Sequence, residues 1–372
     1  MEHETILILG GYGNTGLCLA RLLLQETDAH VVLAGRTGER AERAAVQLNV
    51  LFKGSRASGT CADASDRKSL GRALKGVDFL IVASSTAKHV KEVAAASLDA
   101  GVDYLDIHYS QQKIGVLRSL AGEIEHAGRC FITEAGFHPG LPAAMVRHVA
   151  QSFTRMDRAI VASVINQVIP MTDSLYELVE ELRGYQAELF KDGRWQKARW
   201  TSSRKINFGP RFGSRTCFPM MLEEMRAVPE LCPLVRETGF YIAGFNWFVD
   251  WIVFPLGMVA LGVWPERAVK PVGKLIHWGM KRFSSPPFGL VMKVEASGEK
   301  DGQPKTVELS AYHEDGYMFT AIPVVACMLQ YLDGSIARPG LWMMGHVVNP
   351  ARLMEDMKRM GVEVRIEERS GP

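Results

Sequence analysis

Residues 5–24 read TILILGGYGNTGLCLARLLL. A short apolar run stops at Gly10, further glycines stand at 11, 13 and 16, and an apolar pattern of helical period follows. That order is strand, glycine turn, helix. Gly11, Gly13 and Gly16 satisfy GxGxxG, in which the glycines serve a tight turn, close approach of backbone to a pyrophosphate, and close packing of helix on strand. Tyr12, Asn14 and Thr15 fill the positions between and belong to the same candidate site. The N–H groups and positive dipole end of the helix favour an anion there, so the loop needs no lysine.

Working outward, a second apolar run at 30–34 (HVVLA) follows at βαβ spacing and ends in Gly35, Arg36 and Thr37. A fold that binds NAD places an acidic residue roughly 20 positions after the glycines to hold the ribose 2′-hydroxyl. Here Arg36 stands 20 residues after Gly16. A guanidinium cannot accept from that hydroxyl but pairs well with a 2′-phosphate, with Thr37 and Arg40 as nearby donors, so NADP (NADPH) is the expected cofactor. The alternative is a solvated loop arginine. The rhythm repeats at 61–66 (CADASD), where Asp63 lies on the cofactor side and Asp66 is an expected N-cap, and at 77–82 (VDFLIV). Ser84, Ser85 and Thr86 follow, placed either to approach the cofactor ribose or to cap a loop. An alanine-rich helix at 88–100, then runs at 102–107 (VDYLDI) and 129–133 (RCFIT), complete a six-strand alternation. The fold class is α/β, a doubly wound parallel Rossmann sheet.

Ligands of such sheets bind outside the carboxyl ends of the strands. Two clusters qualify: Asp106, His108, Tyr109 and Ser110, and then Glu134, Gly136, Phe137, His138, Pro139 and Gly140. Hydride transfer to C=N or C=O leaves a group that needs a proton, and His108, Tyr109 or His138 is of the right chemistry to supply it. The more ordinary reading of each one alone is a satisfied structural side chain at a domain junction. The Pro139, Gly140, Pro142 series turns the chain out of the nucleotide domain, predicting domains at 1–140 and 141–372.

With the glycine loop, the Gly35–Arg36 pair, GVDYLDIHYS (101–110), AGFHPGLP (135–142) and YMFTAIPVVACMLQYLDGSIARPGLW (317–342) in hand, the chain resembles the saccharopine dehydrogenase-like oxidoreductases. The resemblance implies a Rossmann domain followed by an α+β domain with a mixed or antiparallel sheet, and substrate in a cleft between them. It also implies oxidation or reduction of secondary amines through imines, with some relatives acting on lipid-linked double bonds. The family turn commonly carries an acid where this chain has His138.

Composition bounds the rest. The chain has 372 residues, 47% apolar and 23% charged, as folded proteins do. Its 43 basic and 41 acidic residues give a net +2, which supplies no bulk field for nucleic acid. Six scattered cysteines without a CxxC pair predict reduced thiols, no metal site and a cytoplasmic protein, and the acidic N-terminus predicts no cleaved signal.

In the second half, 157–168 reads as a strand, and 290–296 with 306–312 as a hairpin around Lys300, Asp301 and Gly302, suiting a one-sided antiparallel sheet. Residues 317–332 read as a buried helix packing the domains together. Residues 240–264 (FYIAGFNWFVDWIVFPLGMVALGVW) carry Asp250 as their only formal charge. Basic stretches flank them, including Arg267, Lys270, Lys274, Lys281 and Arg282. Asp250, Pro255 and three glycines argue against a membrane span, leaving peripheral contact with an anionic membrane, or a buried hairpin or homodimer face. The expected function is NAD(P)H-dependent hydride transfer to an imine, carbonyl or enoyl group of a small or lipid-like substrate. The alternative is a membrane- or lipid-associated nucleotide-binding scaffold without turnover.

Overall fold

The computed structural model describes residues 4–171, 173–181, 186–233 and 235–370. Six strands alternate with helices along the first third: β1 (Thr5–Leu9), β2 (His30–Gly35), β3 (Ala57–Cys61), β4 (Phe79–Val82), β5 (Asp103–Asp106) and β6 (Cys130–Thr133). Then come β7 (Arg155–Asn166), β8 (Glu188–Lys191), β9 (Arg194–Lys197), β10 (Arg204–Asn207), β11 (Ser214–Met220) and β12 (Glu237–Ala243). The series ends with β13 (Gly289–Lys300), β14 (Gln303–His313), β15 (Gly340–Met343) and β16 (Glu363–Ser370).

The first sheet has the order β15-β6-β5-β4-β1-β2-β3 and is parallel throughout. The strand order reverses beside β1, between its neighbours β2 and β4, which places the ligand crevice of a doubly wound sheet at their carboxyl ends. Central strands are apolar on both faces because helices cover both: Ile6, Leu7, Ile8, Phe79, Leu80 and Ile81 are all buried. Asp66 caps the helix Arg67–Ala73 by accepting from the Lys68 N–H at 2.9 Å, as its position predicts.

The chain forms two compact units, and the boundary departs from the sequence reading. Met1–Ala144 together with Tyr317–Met360 make one, Met145–Gly316 with Gly361–Pro372 the other. The continuous second domain expected over 141–372 is therefore corrected: residues 317–360 return to the Rossmann unit, and the six expected strands become seven. β15 extends the sheet by pairing in parallel with β6, Gly340 opposite Cys130. The helix Gly316–Leu332 packs within this unit, with Tyr331 against Phe79 at 4.5 Å and its hydroxyl donating to Asp103 at 2.5 Å. The return has a physical cause. A fully buried β6 cannot leave an edge of unpaired N–H and C=O groups, and the apolar helix needs an apolar face to cover.

The second unit is built on a sheet of order β10-β11-β12-β7-β13-β14-β16, with β8 and β9 attached beside β12. It is mixed rather than purely antiparallel, because β7 and β12 run parallel. The β13–β14 hairpin closes through Asp301 and Gly302, both at positive φ, so an Asp-Gly pair takes the two-residue turn. Residues 240–264 divide into the end of β12, a connecting turn, a single π-helical turn at Val249–Val253 and the helix Phe254–Val263. No helix among the described residues is long and apolar enough to cross a membrane.

Candidate functional site

The site begins with the backbone of the first turn. Gly10 and Gly11 both donate to the Ala34 carbonyl, at 2.8 and 3.1 Å, which ties the end of β1 to the end of β2. Helix α1 (Asn14–Glu26) then starts with Gly13 at its cap position and no side chain capping it. A Cβ on Gly16 would stand 2.1 Å from the Gly10 carbonyl oxygen, and one on Gly11 2.8 Å from the Leu33 Cα. Gly13 and Asn14 are exposed and Thr15 half-buried at the mouth of this turn. The result is a cradle whose floor is main chain and whose polar surface is a helix N-terminus, the geometry a pyrophosphate requires.

The side chains expected around the adenosine end gather after β2 and β3. Tyr12 lies across Gly35, where an added Cβ would meet its ring at 2.6 Å, and its hydroxyl accepts from the Thr37 N–H at 3.1 Å. Arg40 sits over the Tyr12 ring at 4.8 Å. Arg36 is exposed. The Asp63 carboxyl is held below its ordinary range by hydrogen bonds from the Ser65 N–H and hydroxyl, with Arg36 adding a smaller attraction. Arg36 and Arg40 thus bring two guanidinium groups to the segment that follows β2.

At the carboxyl end of β5 the fold buries an ion pair. Lys113 Nζ donates to Asp106 Oδ1 at 2.6 Å and to the His108 carbonyl at 2.7 Å, and neither charged side chain is exposed. Asp106 also accepts from the Tyr104 hydroxyl (3.0 Å), the Thr133 hydroxyl (2.8 Å) and the His108 N–H (3.1 Å). Burial would raise this carboxyl, but Lys113, His108 and the hydrogen bonds outweigh it and hold the group below its usual range. Asp106 was visible in the sequence as a candidate, whereas Lys113, Tyr104 and Thr133 were not. Lys113 lies seven residues along, inside a helix whose N-cap is Ser110.

His108 connects this network to the glycine turn. Its Nε2 donates to the Ser84 carbonyl at 2.5 Å, which assigns the proton to Nε2, with Nδ1 4.0 Å from Asp106 Oδ1. Burial lowers its pKa, so the ring is neutral. Ser84 in turn lies against Gly10, where a Cβ would come within 2.8 Å of the Ser84 nitrogen, and its hydroxyl bonds the Thr86 hydroxyl at 2.9 Å. Ser85 is half-buried alongside. Ser84 therefore joins the loops after β1, β4 and β5.

The loop after β6 closes on the same edge. Its Ala135 N–H donates to the Asp106 carbonyl at 3.0 Å. Glu134 is buried at positive φ, and a Cβ on Gly140 would strike the Glu134 carbonyl at 2.7 Å, so the turn is tight enough to demand glycine there. His138, joined to Pro139 by a cis peptide, packs in a tilted arrangement on Phe137 at 4.7 Å with both ring nitrogens withdrawn from solvent. Burial pushes its pKa down to about 4. Tyr109 is half-buried. Neither histidine thus stores a proton at neutral pH.

Three arginines of the second unit, whose chemistry would suit a carboxylate, are engaged locally. Arg204 pairs with Glu237, Arg211 pairs with Glu363 at 3.0 Å and stacks over Tyr312 at 3.7 Å, and Arg215 donates to the Phe212 carbonyl at 3.0 Å. Among the described residues no cluster of three or more His, Cys, Asp or Glu side chains could hold a metal ion.

Residues 6–132 match the model of the saccharopine dehydrogenase NADP binding domain. Over those residues the chain is similar to a saccharopine dehydrogenase-like NADP-binding domain, which supports NADP as the cofactor, and the cradle described above fits that cofactor. Among solved structures the chain is similar to apo saccharopine dehydrogenase (L-Glu forming) from Saccharomyces cerevisiae. The identity is 15%, the coverage 99% of this chain and 100% of that one, and the TM-score 0.73. It is also similar to the C. glutamicum DAP dehydrogenase in complex with DAP, at 13% identity, 96% and 99% coverage, and a TM-score of 0.50. No curated protein matches the sequence. At these identities the structural likeness establishes the α/β fold over the whole chain, and the family match covers residues 6–132.

Proposed function

We propose that the chain is an NADPH-dependent oxidoreductase acting on a C=N, C=O or enoyl group of a small or lipid-like substrate, with reaction outside the carboxyl ends of β1, β4 and β5. The observation that carries this reading is the continuous link from the glycine cradle through Ser84 and His108 to the buried Asp106–Lys113 pair. Bound NADPH supplies hydride. The chain's own residues do the rest. Main-chain N–H groups of α1 receive the pyrophosphate, Arg36 with Arg40 selects the 2′-phosphate, and Tyr12 lines the adenosine side. The neutral His108 ring holds the Ser84 loop in place, and the Asp106–Lys113 network keeps β5 rigid beneath it. Tyr109 is our candidate for the group that returns a proton to the reduced substrate, and His138 lines the site as an apolar wall.

A fluorescence titration with NADPH and with NADH at one fixed salt concentration tests the reading. NADPH should bind more tightly, and Arg36→Ala should weaken NADPH by roughly tenfold or more while leaving NADH nearly unchanged. Equal affinities, or no binding of either, overturn it. The neutral state of both His108 and His138 also favours a second reading, a nucleotide-binding scaffold without turnover. Tight NADPH binding with no oxidation on any imine, ketone or enoyl compound would select that one.

A further inference from the structure

The helix Phe254–Val263 is apolar all round, yet only Gly257 and Leu261 are buried in it. A helix of that composition belongs inside a protein core or against lipid. Instead Leu256 is 63% exposed, Val259 67% and Trp264 60%. Just before it Trp251 is 67% exposed, and Trp247 joins Phe248, Trp278 and Phe283 in an aromatic cluster with ring centroids 4.9 to 5.8 Å apart. Gly257 seats this helix on Val272 of the helix Val269–Phe283, so the two present one surface. Exposed apolar area on this scale marks an interaction site.

The second helix says what occupies it. Lys270, Lys274 and Lys281 fall along one exposed stripe by helical spacing, with Trp278 beside it and Arg282 and Leu275 farther round the same exposed side, while Val272, Ile276, Gly279 and Met280 face inward. Arg267 adds a fifth cation, against Glu266 as the one acid between 265 and 283. Exposed tryptophans beside a lysine and arginine stripe match the two layers of an anionic lipid surface, aromatic and aliphatic groups at the acyl boundary and cations at the headgroups.

We propose that this face, residues 247–283, docks the protein on an anionic phospholipid bilayer as a surface contact. Geometry favours lying on the membrane over crossing it. Ten helical residues reach about 15 Å, half the roughly 30 Å of a hydrocarbon core. Charge disfavours a second copy as the occupant. A twofold pairing of this face sets one basic stripe against another, which costs association energy, whereas phosphatidylserine headgroups complement it. The proposal does not depend on the enzymatic reading of the other unit.

The test uses the full chain and two kinds of vesicle, phosphatidylcholine alone and phosphatidylcholine with phosphatidylserine, scored by sedimentation and by the tryptophan emission shift. The protein should pellet with the anionic vesicles, release as salt is raised, and show a blue-shifted emission. Leu256→Glu with Val259→Glu should abolish pelleting. Lys270→Glu with Lys274→Glu should weaken it at least about tenfold and remove the preference for phosphatidylserine. Circular dichroism and thermal midpoints unchanged from wild type show that both variants fold, and the lysine pair alone carries the test if the apolar pair does not. No pelleting by wild type overturns the proposal, as does pelleting indifferent to both variants. A wild-type dimer that becomes monomeric in the Leu256 and Val259 variant assigns the face to a second copy and overturns it equally.

Discussion

Two stretches of this chain carry similar apolar residues and treat them in opposite ways. In β4 all four residues, Phe79 to Val82, are buried, and the loop that follows is drawn against Gly10 so closely that a methyl group would not fit. In the helix Phe254–Val263 eight of ten residues keep contact with solvent. Burying a large apolar side chain is worth about 1.5–3 kcal/mol, so the first stretch contributes stability that the second forgoes. Rigidity is spent where a cofactor must be positioned to fractions of an ångström. Exposed apolar surface is kept where affinity for another phase is the gain.

The largest effect separating the two regions is expected at Lys113. Replacing it by methionine leaves the Asp106 carboxylate buried without its cation and the His108 carbonyl without its donor, which costs roughly 3–5 kcal/mol in chemical denaturation. The pH dependence has a definite sign. In wild type the folded Asp106 pKa lies below its ordinary 3.8, so the stability it contributes is present above pH 3.8 and is lost as pH falls through the lower folded value. In Lys113→Met burial is no longer opposed by the cation, the carboxyl moves up, and the variant recovers part of its deficit on acidification. A deficit that is small or independent of pH would show that the pair does not hold the β5 edge. Next in size is Gly16→Ala, whose Cβ meets the Gly10 carbonyl at 2.1 Å. It should cost about 2 kcal/mol or more and remove NADPH binding, because the turn must open to admit the methyl group. Alanine tolerated with full binding would mean that the cradle is softer than β4 and its neighbours imply.

The same contrast explains what could be read from the sequence. The βαβ units are local: each strand, glycine turn and capped helix lies within some 30 residues, so Gly11, Gly13, Gly16, Arg36 and Asp66 announce themselves by spacing. β15 does not. Four residues (GLWM) carry no period to speak of, and their pairing with β6 spans two hundred residues of chain that builds another unit, so no local signal tells where they go. Lys113 was missed for a related reason. A lysine in a first helical turn is ordinarily solvated, and only the depth of the β5 end turns it into a buried partner. His138 was readable as a position but not as a charge state, since the enclosure that withdraws its nitrogens is assembled by the tertiary packing of the loop after β6.

The smallest expected effect lies in the exposed region and probes Asp250, the single charge of residues 240–264, which is half-buried. Asp250 accepts from the Phe245 N–H at 2.8 Å, closing the turn between β12 and the apolar helix, and a Cβ on Gly244 would meet its carboxylate at 1.9 Å. Burial raises its pKa to about 6, with the Phe245 and Asn246 N–H groups and Arg215 pulling the other way. An acid whose folded pKa is raised contributes stability that is complete below its unfolded value of 3.8 and disappears as pH rises through about 6. Amide exchange in residues 245–263 should therefore quicken as pH crosses 6 by more than the intrinsic base-catalysed increase, while exchange in β4 follows the intrinsic rate alone. Asp250→Asn keeps an oxygen acceptor for Phe245 and removes the titration, so its excess exchange should stay flat across the same range. An excess that persists in the variant would place the pH response elsewhere. One that vanishes makes Asp250, in the turn Val249–Val253, the group through which the segment leading into this uncharged helix responds to acidity.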